Sequence, residues 1–128
     1  LFDSSETIEE PNLIETKQLD KIEYLETKDE LLFTVVADDA TTAIQNLIVI
    51  SSDNEAIAAQ CHDLLHEIGK AAFSKYGDFS VAIKHQTDYC NSGYIHGLFE
   101  AYFESRDGAT LEIDRLCDDY SKTGRPFD

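Results

Sequence analysis

The 128-residue sequence contains no methionine or tryptophan and only two prolines. Long hydrophobic runs are also missing, since no stretch approaches the roughly 18 apolar residues of a membrane-spanning helix. Basic residues are also few: the sequence has 10 Lys and Arg and 26 Asp and Glu, which gives a formal net charge of -16. A surface of this charge repels phosphate groups. We therefore expect no nucleic-acid binding and no membrane insertion by this segment.

Cysteine is scarce and odd in number, with Cys61, Cys90 and Cys117. One disulfide and one remaining thiol would account for this count, and the remaining thiol could find its partner beyond the C-terminus. Because the chain begins at Leu1 and lacks methionine, we expect a processed or excised piece of a longer product, which leaves room for a protein partner or further chain. An apolar share of 42% is enough for one globular domain.

The composition changes near residue 30. Residues 1–30 carry ten acidic side chains against three lysines and have few apolar residues, which predicts an acidic arm that is loosely docked or mobile. Residues 31–128 have a globular composition and are predicted to form a helical Cys/His domain. The apolar run at the start of that domain, residues 31–36, suits a buried strand or a helix equally.

Capping residues mark the starts of several helices. Asp38 or Asp39 can cap a helix over the apolar pattern that follows, and Asp78 can cap a short helix. The break at residues 51–54 ends the first pattern and supplies another cap. These positions predict short helices joined by tight turns.

Two longer helices are predicted from apolar residues three and four positions apart. The clearer one ends near Gly77 and carries Ala58, Cys61, Leu65, Ile68, Ala72 and Phe73. The other covers residues 94–103, where Gly97 would permit close approach of another backbone, such as that of the Cys61 helix. We therefore predict a mainly α fold, with several short antiparallel helices in one small domain.

All four histidines lie within 35 residues of one another. His62 and His66 are four positions apart, so both rings emerge from one face of a helix, and His96 and Glu100 repeat this spacing on the second helix. If the helices face each other, three imidazoles and a carboxylate converge as ligands for a transition metal ion such as zinc, copper or iron. We expect His85 to cap a helix end rather than to bind metal.

The histidines also permit other interpretations. The stretch from His62 to His66 is similar to the His-Glu-x-x-His helix of zinc peptidases, but Asp63 replaces the general-base glutamate. A metal-dependent hydrolase or oxidoreductase, with Asp63 or Glu67 supporting the ligands, is one alternative. A non-catalytic interaction or scaffold domain, stabilised by a disulfide and with purely structural histidines, is another.

The first two cysteines flank the predicted histidine helices. If these helices face each other, Cys61 and Cys90 can form a disulfide that closes a loop of about 30 residues, stabilising the fold by roughly 3–4 kcal/mol. The alternative is thiolate ligation of a soft metal, but the spacing does not match a Cys-x-x-Cys zinc site. We prefer the disulfide, with Cys117 free or paired between molecules, and we expect an extracytoplasmic or secreted protein.

Two motifs together carry a family resemblance. Residues 61–69 read Cys-His-x3-His-x2-Gly, and residues 90–97 read Cys-x2-Gly-Tyr-x-His-Gly. In this combination the chain resembles a largely uncharacterised prokaryotic family, over about residues 55–128. The resemblance implies a site centred on Cys and His without assigning a reaction. It also implies that the family continues beyond Asp128 into another Cys/His/Gly motif, so that Cys117 and a further histidine ligand lack their partners here.

Overall fold

The computed structural model describes the backbone of residues 13–105 and the side chains of residues 18–105. All regular elements of this part of the chain are helices, and it contains no strand. In chain order they are α1 (Leu13–Ala37), α2 (Ala40–Asp53), α3 (Glu55–Ala59), α4 (Cys61–Tyr76), α5 (Phe79–Ala82), a 3-10 turn (Ile83–His85) and α6 (Tyr89–Glu104). The prediction of a small, mainly α domain is confirmed. None of these helices has the length and apolar composition needed to cross a membrane.

Side chains cap the shorter helices where the sequence places capping residues. Each of three side chains accepts a hydrogen bond from a backbone N–H in the following turn, over 2.7 to 3.0 Å: Asp39 at α2, Asn54 at α3 and Asp78 at α5. Helix α4 ends at Gly77, whose left-handed φ of 68° is readily adopted only by glycine. The ends of these helices therefore follow from local chemistry.

Helix α1 continues through the change of composition near residue 30. The ambiguous run at residues 31–36 is helical and belongs to its last turns. Leu31 and Val35 face the core, with 2% and 0% of their surfaces exposed. Residues 1–12 lie outside the described residues, so the mobility of the acidic arm stays a prediction.

Helix α4 lies at the centre of the domain and contacts α1, α2, α5 and α6. Its buried residues form one stripe at helical spacing: Leu64, Leu65, Ile68, Gly69 and Ala72. At its C-terminal end, the Lys75 amine donates to the carbonyl oxygens of Val35 (2.7 Å), in the last turn of α1, and of Asp38, just after that helix. The contact with Val35 satisfies a carbonyl group at the end of α1, where the last carbonyls lack a partner within the helix.

The helix directions differ in part from the antiparallel arrangement expected above. Helices α1 and α2 are antiparallel, and the side chains of Glu23 and Asn54 meet where α1 passes the end of α2. Helices α4 and α6 instead run in the same direction. They are joined by a disulfide near their N-termini and by the rings of Phe73 and Tyr102, 5.9 Å apart, near their C-termini.

A parallel pair requires a connection that returns along the length of α4. Residues 77–88 make this connection and contain α5 and the 3-10 turn. The buried Tyr94 hydroxyl donates to the Ala82 carbonyl at 2.7 Å, which ties the connection to α6. Burial raises the pKa of Tyr94, so this phenol remains a hydrogen-bond donor.

The backbones of α4 and α6 are in direct contact through glycines. A Cβ atom on Gly97 would collide with the backbone carbonyl of His66, and one on Gly69 would collide with that of Tyr94. A Cβ atom on Gly93 would also collide with the His62 carbonyl oxygen, at 2.5 Å. The prediction that Gly97 permits close approach to the Cys61 helix is confirmed. This contact also determines how far apart the histidines on the two helices lie.

Candidate metal centre

The predicted disulfide is present. Cys61 and Cys90 are bonded, with their Cα atoms 5.9 Å apart and 29 positions apart in the sequence. The bond joins the first residue of α4 to the first turn of α6 and holds together the two helices that carry the histidines. Cys117 lies outside the described residues.

The disulfide adjoins an unusual turn. Cys90, Asn91 and Ser92 have φ angles of 52°, 57° and 59°, so three consecutive non-glycine residues adopt the left-handed conformation. Each residue costs about 1–2 kcal/mol in this conformation, so tertiary contacts must hold the turn in place. The disulfide provides one such contact, and the Nδ1 atom of His62, 2.9 Å from the Cys90 carbonyl oxygen, provides another.

The hydrogen bond to the Cys90 carbonyl determines which ring nitrogen of a neutral His62 carries the proton. A carbonyl oxygen can only accept, so the proton of a neutral His62 lies on Nδ1 and the lone pair lies on Nε2. Metal-binding histidines commonly have this arrangement, in which one nitrogen donates to a backbone carbonyl and the other binds the ion.

The rings of His62 and His96 lie at the spacing of two ligands of one ion. Their centroids are 5.3 Å apart, with the ring planes at 64°. Two imidazoles on a tetrahedral ion, with metal–nitrogen bonds of about 2.1 Å and ring centres about 1.1 Å beyond each nitrogen, have centres about 5.2 Å apart. Because His62 is half-buried and His96 is exposed, an ion could reach this pair from solvent.

His66 and Glu100 form a second pair on the same two helices. His66 Nε2 lies 2.8 Å from Glu100 Oε1, and the Lys70 amine lies 3.8 Å from the other carboxylate oxygen. Since an ionised carboxylate only accepts, His66 donates from Nε2 and a neutral ring keeps its lone pair on Nδ1. The centroids of His66 and His62 are 6.4 Å apart, at the limit of about 6.4 Å that two ligands on opposite sides of one ion can reach.

The predicted ligands therefore lie together on one face as two pairs. Among residues 18–105, no three His, Cys, Asp or Glu side chains are already placed to hold one metal ion. The His66 ring contacts Glu100, and its centroid lies 6.4 Å from that of His62, more than the separation of about 5.2 Å between two ligands on a tetrahedral ion. The assignment of His62, His66, His96 and Glu100 as metal ligands stays a prediction.

His85 lies away from this face. Its Nδ1 is 2.6 Å from the Thr41 hydroxyl oxygen, and its ring stacks on Tyr76 with centroids 5.0 Å apart. Burial lowers the pKa of His85, an effect that Asp39 opposes and Lys75 reinforces. This histidine joins the 3-10 turn to α2 and α4.

The acidic residues next to the histidines in sequence face a different helix. Asp63 lines a cavity of about 470 Å³ with Asp20 and Tyr24 of α1. Burial raises the pKa of Tyr24, and the carboxylates of Asp63 and Glu67 raise it further. These contacts give no support to Asp63 or Glu67 as a catalytic group beside the histidines.

Two contacts of the predicted ligands were missed by sequence reasoning: that of Lys70 with Glu100 and that of the Cys90 carbonyl with His62. Lys70 stands four positions after His66, so helical spacing could have placed it on the face that meets Glu100 if the two helices face each other. The Cys90 carbonyl could not have been found in this way, because its direction depends on the left-handed turn.

Comparisons with protein-family models, curated proteins and solved structures found no match for this chain.

Proposed function

We propose that this protein is an extracytoplasmic domain that binds a transition metal ion, such as zinc, copper or iron, through His62, His96 and His66, with Glu100 as a fourth ligand or as the partner of His66. The observation that carries this proposal is the 5.3 Å spacing between the rings of His62 and His96. The two rings come from different helices, and the spacing matches that of two ligands on one tetrahedral ion.

The surroundings of the pair support the same function. The proton of His62 is held on Nδ1 by the Cys90 carbonyl, which leaves Nε2 for the ion. A displacement of the His66 ring by about 1 Å towards His62 would bring a third imidazole into the bonding range. Glu100 would remain close, because it already contacts His66.

The proposed location follows from the disulfide. Disulfides persist in oxidising compartments and are rare in the cytosol of mesophiles. The Cys61–Cys90 bond closes the loop of residues 61–90, and the left-handed turn begins at the end of that loop. The resemblance to a prokaryotic Cys/His family is compatible with this proposal and stays a prediction.

The test is a metal titration of the untagged, disulfide-intact protein with zinc and copper by isothermal titration calorimetry. We expect one ion per chain, and a loss of tenfold or more in affinity for His62→Ala, His66→Ala and His96→Ala. Glu100→Gln should give a smaller loss. His85→Ala is the matched control, because it removes an imidazole that lies away from the cluster. Binding should weaken as the pH falls through the range in which histidine is protonated.

A scaffold function is the second candidate. It is favoured by one observation: His62 and His66 already have hydrogen-bond partners within the fold. In that case, metal binding would be substoichiometric, and each of the four histidine variants would weaken it equally. His62→Ala would then lower only the free energy of unfolding. Such a result would replace the metal-binding proposal with a disulfide-stabilised interaction domain.

A further inference from the structure

Helix α1 has an apolar face that is left uncovered within the described residues 18–105. Five large apolar side chains are 41% to 71% exposed on it: Leu19, Ile22, Leu25, Phe33 and Val36. At 100° per residue, they lie within a third of a turn of one another, opposite the core-facing Leu31 and Val35. A helix with apolar residues on two opposite faces can pack against the core with one face and against a second element with the other.

The spacing on this outer face is that of a coiled-coil seam. Positions 19, 22, 26, 29, 33 and 36 alternate in steps of three and four, as the a and d positions of consecutive heptads do. The outer positions are Leu19 and Ile22 at one end and Phe33 and Val36 at the other. We call the six positions 19, 22, 26, 29, 33 and 36 the outer seam. A partner helix would lie along them for about 25 Å.

The centre of the outer seam is acidic. Glu26 and Asp29 occupy its middle a and d positions, and both are exposed. Glu23 and Glu30 occupy flanking e positions, whereas Lys21 and Lys28 lie on other faces of the helix. Charges at these positions decide which helices can pair, because like charges across a seam repel each other.

A second copy of this chain does not fit the outer seam. In a parallel pair, Glu26 would face Glu26, and in an antiparallel pair it would face Asp29 of the other copy. Both arrangements bring carboxylates together at the centre, between chains with a net charge of -16 each. Charge complementarity instead requires lysine or arginine opposite Glu26 and Asp29.

We propose that α1 docks an amphipathic helix of another protein, with apolar residues at the two ends of its contact face and lysine or arginine at the centre and flanks. The partner's apolar ends would pack on the exposed side chains of the outer seam. Its basic centre would neutralise the carboxylates that exclude self-pairing. This inference does not depend on metal binding, because the outer seam contains none of the proposed ligands.

Two designed peptides test the proposal on the full-length, disulfide-intact protein. Both are four-heptad helices with leucine and isoleucine at the outer a and d positions. One has lysine at the two central and the flanking positions, and the other has glutamate there. We expect the lysine peptide to bind at least tenfold more tightly in a fluorescence anisotropy titration, with an affinity that falls as salt is added.

Charge reversal gives the sharper test. The double variant Glu26→Lys/Asp29→Lys should reverse the preference and bind the glutamate peptide more tightly. A control double variant, Asp53→Lys/Glu104→Lys, changes the net charge equally at exposed positions away from the outer seam and should keep the original preference. Phe33→Glu should weaken both interactions while circular dichroism shows the same helix content.

Several outcomes would overturn the proposal. Binding of neither peptide, or equal binding of both, would show that the outer seam does not select a basic helix. Dimerisation of the wild-type protein in sedimentation, abolished by Phe33→Glu, would assign the face to a second copy. A fall in Tm for Phe33→Ala as large as that for Leu31→Ala would show that a segment of the chain itself covers the face.

Discussion

The contact between α4 and α6 and the outer face of α1 represent two extremes of helix packing in this molecule. At the first, backbones touch, because Gly97 and Gly69 leave no room for a side chain. At the second, large side chains such as Phe33, which is 71% exposed, lie on either side of the central carboxylates Glu26 and Asp29. Shape therefore determines the first contact, whereas charge and spacing determine what can bind at the second.

The difference has consequences for function. The proposed metal ligands lie on two helices that a disulfide and a glycine contact hold at one separation, so the spacing of the His62 and His96 rings is set before any ion binds. In the part of the chain that the structure describes, no element is fixed against the outer seam. Substitutions at the first region should change stability and ligand spacing together, while substitutions at the second should change only binding to a partner.

The largest effect is expected for Gly97→Ala. The added Cβ would collide with the His66 carbonyl, which is backbone and cannot rotate away. Separating the helices should lower the free energy of unfolding by about 3–5 kcal/mol, at the upper end for overpacked cores. Urea unfolding followed by circular dichroism measures this loss, and metal affinity should fall with it.

Gly77→Ala is the matched control for that substitution. It adds the same methyl group where nothing lies within 4 Å, so only the left-handed φ of 68° is unfavourable. We expect a loss of about 1 kcal/mol. Equal losses at Gly77 and Gly97 would mean that the two helices can move apart easily.

Removal of the disulfide should have the next largest effect. The double variant Cys61→Ser/Cys90→Ser opens a loop with a sequence separation of 29. The chain-entropy estimate gives a loss of about 3.5 kcal/mol, and relaxation of the left-handed turn would make the measured loss smaller. Cys117→Ser is the control. Thiol titration of the denatured, unreduced wild-type protein should find one free cysteine, and a count of three would contradict the pairing.

The two faces of α1 can be compared within one helix. Leu31→Ala removes a side chain that is 2% exposed and should cost about 3 kcal/mol. Phe33→Ala removes a larger side chain that is 71% exposed and should change the free energy of unfolding by less than about 0.5 kcal/mol. Thermal unfolding of both variants measures the contrast, which would vanish if both faces were covered.

The smallest effect concerns pH and His85. Burial lowers the pKa of this ring in the folded protein, so the unfolded chain takes up a proton first as the pH falls. The stability that this residue contributes is therefore complete above the ordinary histidine pKa and is lost below it. His85→Gln should make the Tm less dependent on pH in that range. An unchanged pH profile would show that burial does not lower the pKa of His85 in the folded protein.

Local sequence features were sufficient to predict much of the helical framework. Asp39 and Asp78 cap helices where the sequence places them, and Gly77 ends α4 as expected. The pairing of Cys61 with Cys90 was also predicted, on the assumption that the two histidine-bearing helices face each other. These features depend on residues within one or two turns, or on a single assumed contact.

The sequence by itself determined the mainly helical framework, the caps at Asp39 and Asp78, and the helix faces on which His62, His66, His96 and Glu100 emerge, whereas it only favoured the disulfide and left the end of α1 open. Only the tertiary structure decided that α4 and α6 run in parallel, that residues 90–92 form a left-handed turn, and that the four side chains form two pairs. The reason is physical. Capping and periodicity act within one helix, whereas direction, separation and backbone strain depend on contacts between residues far apart in the chain.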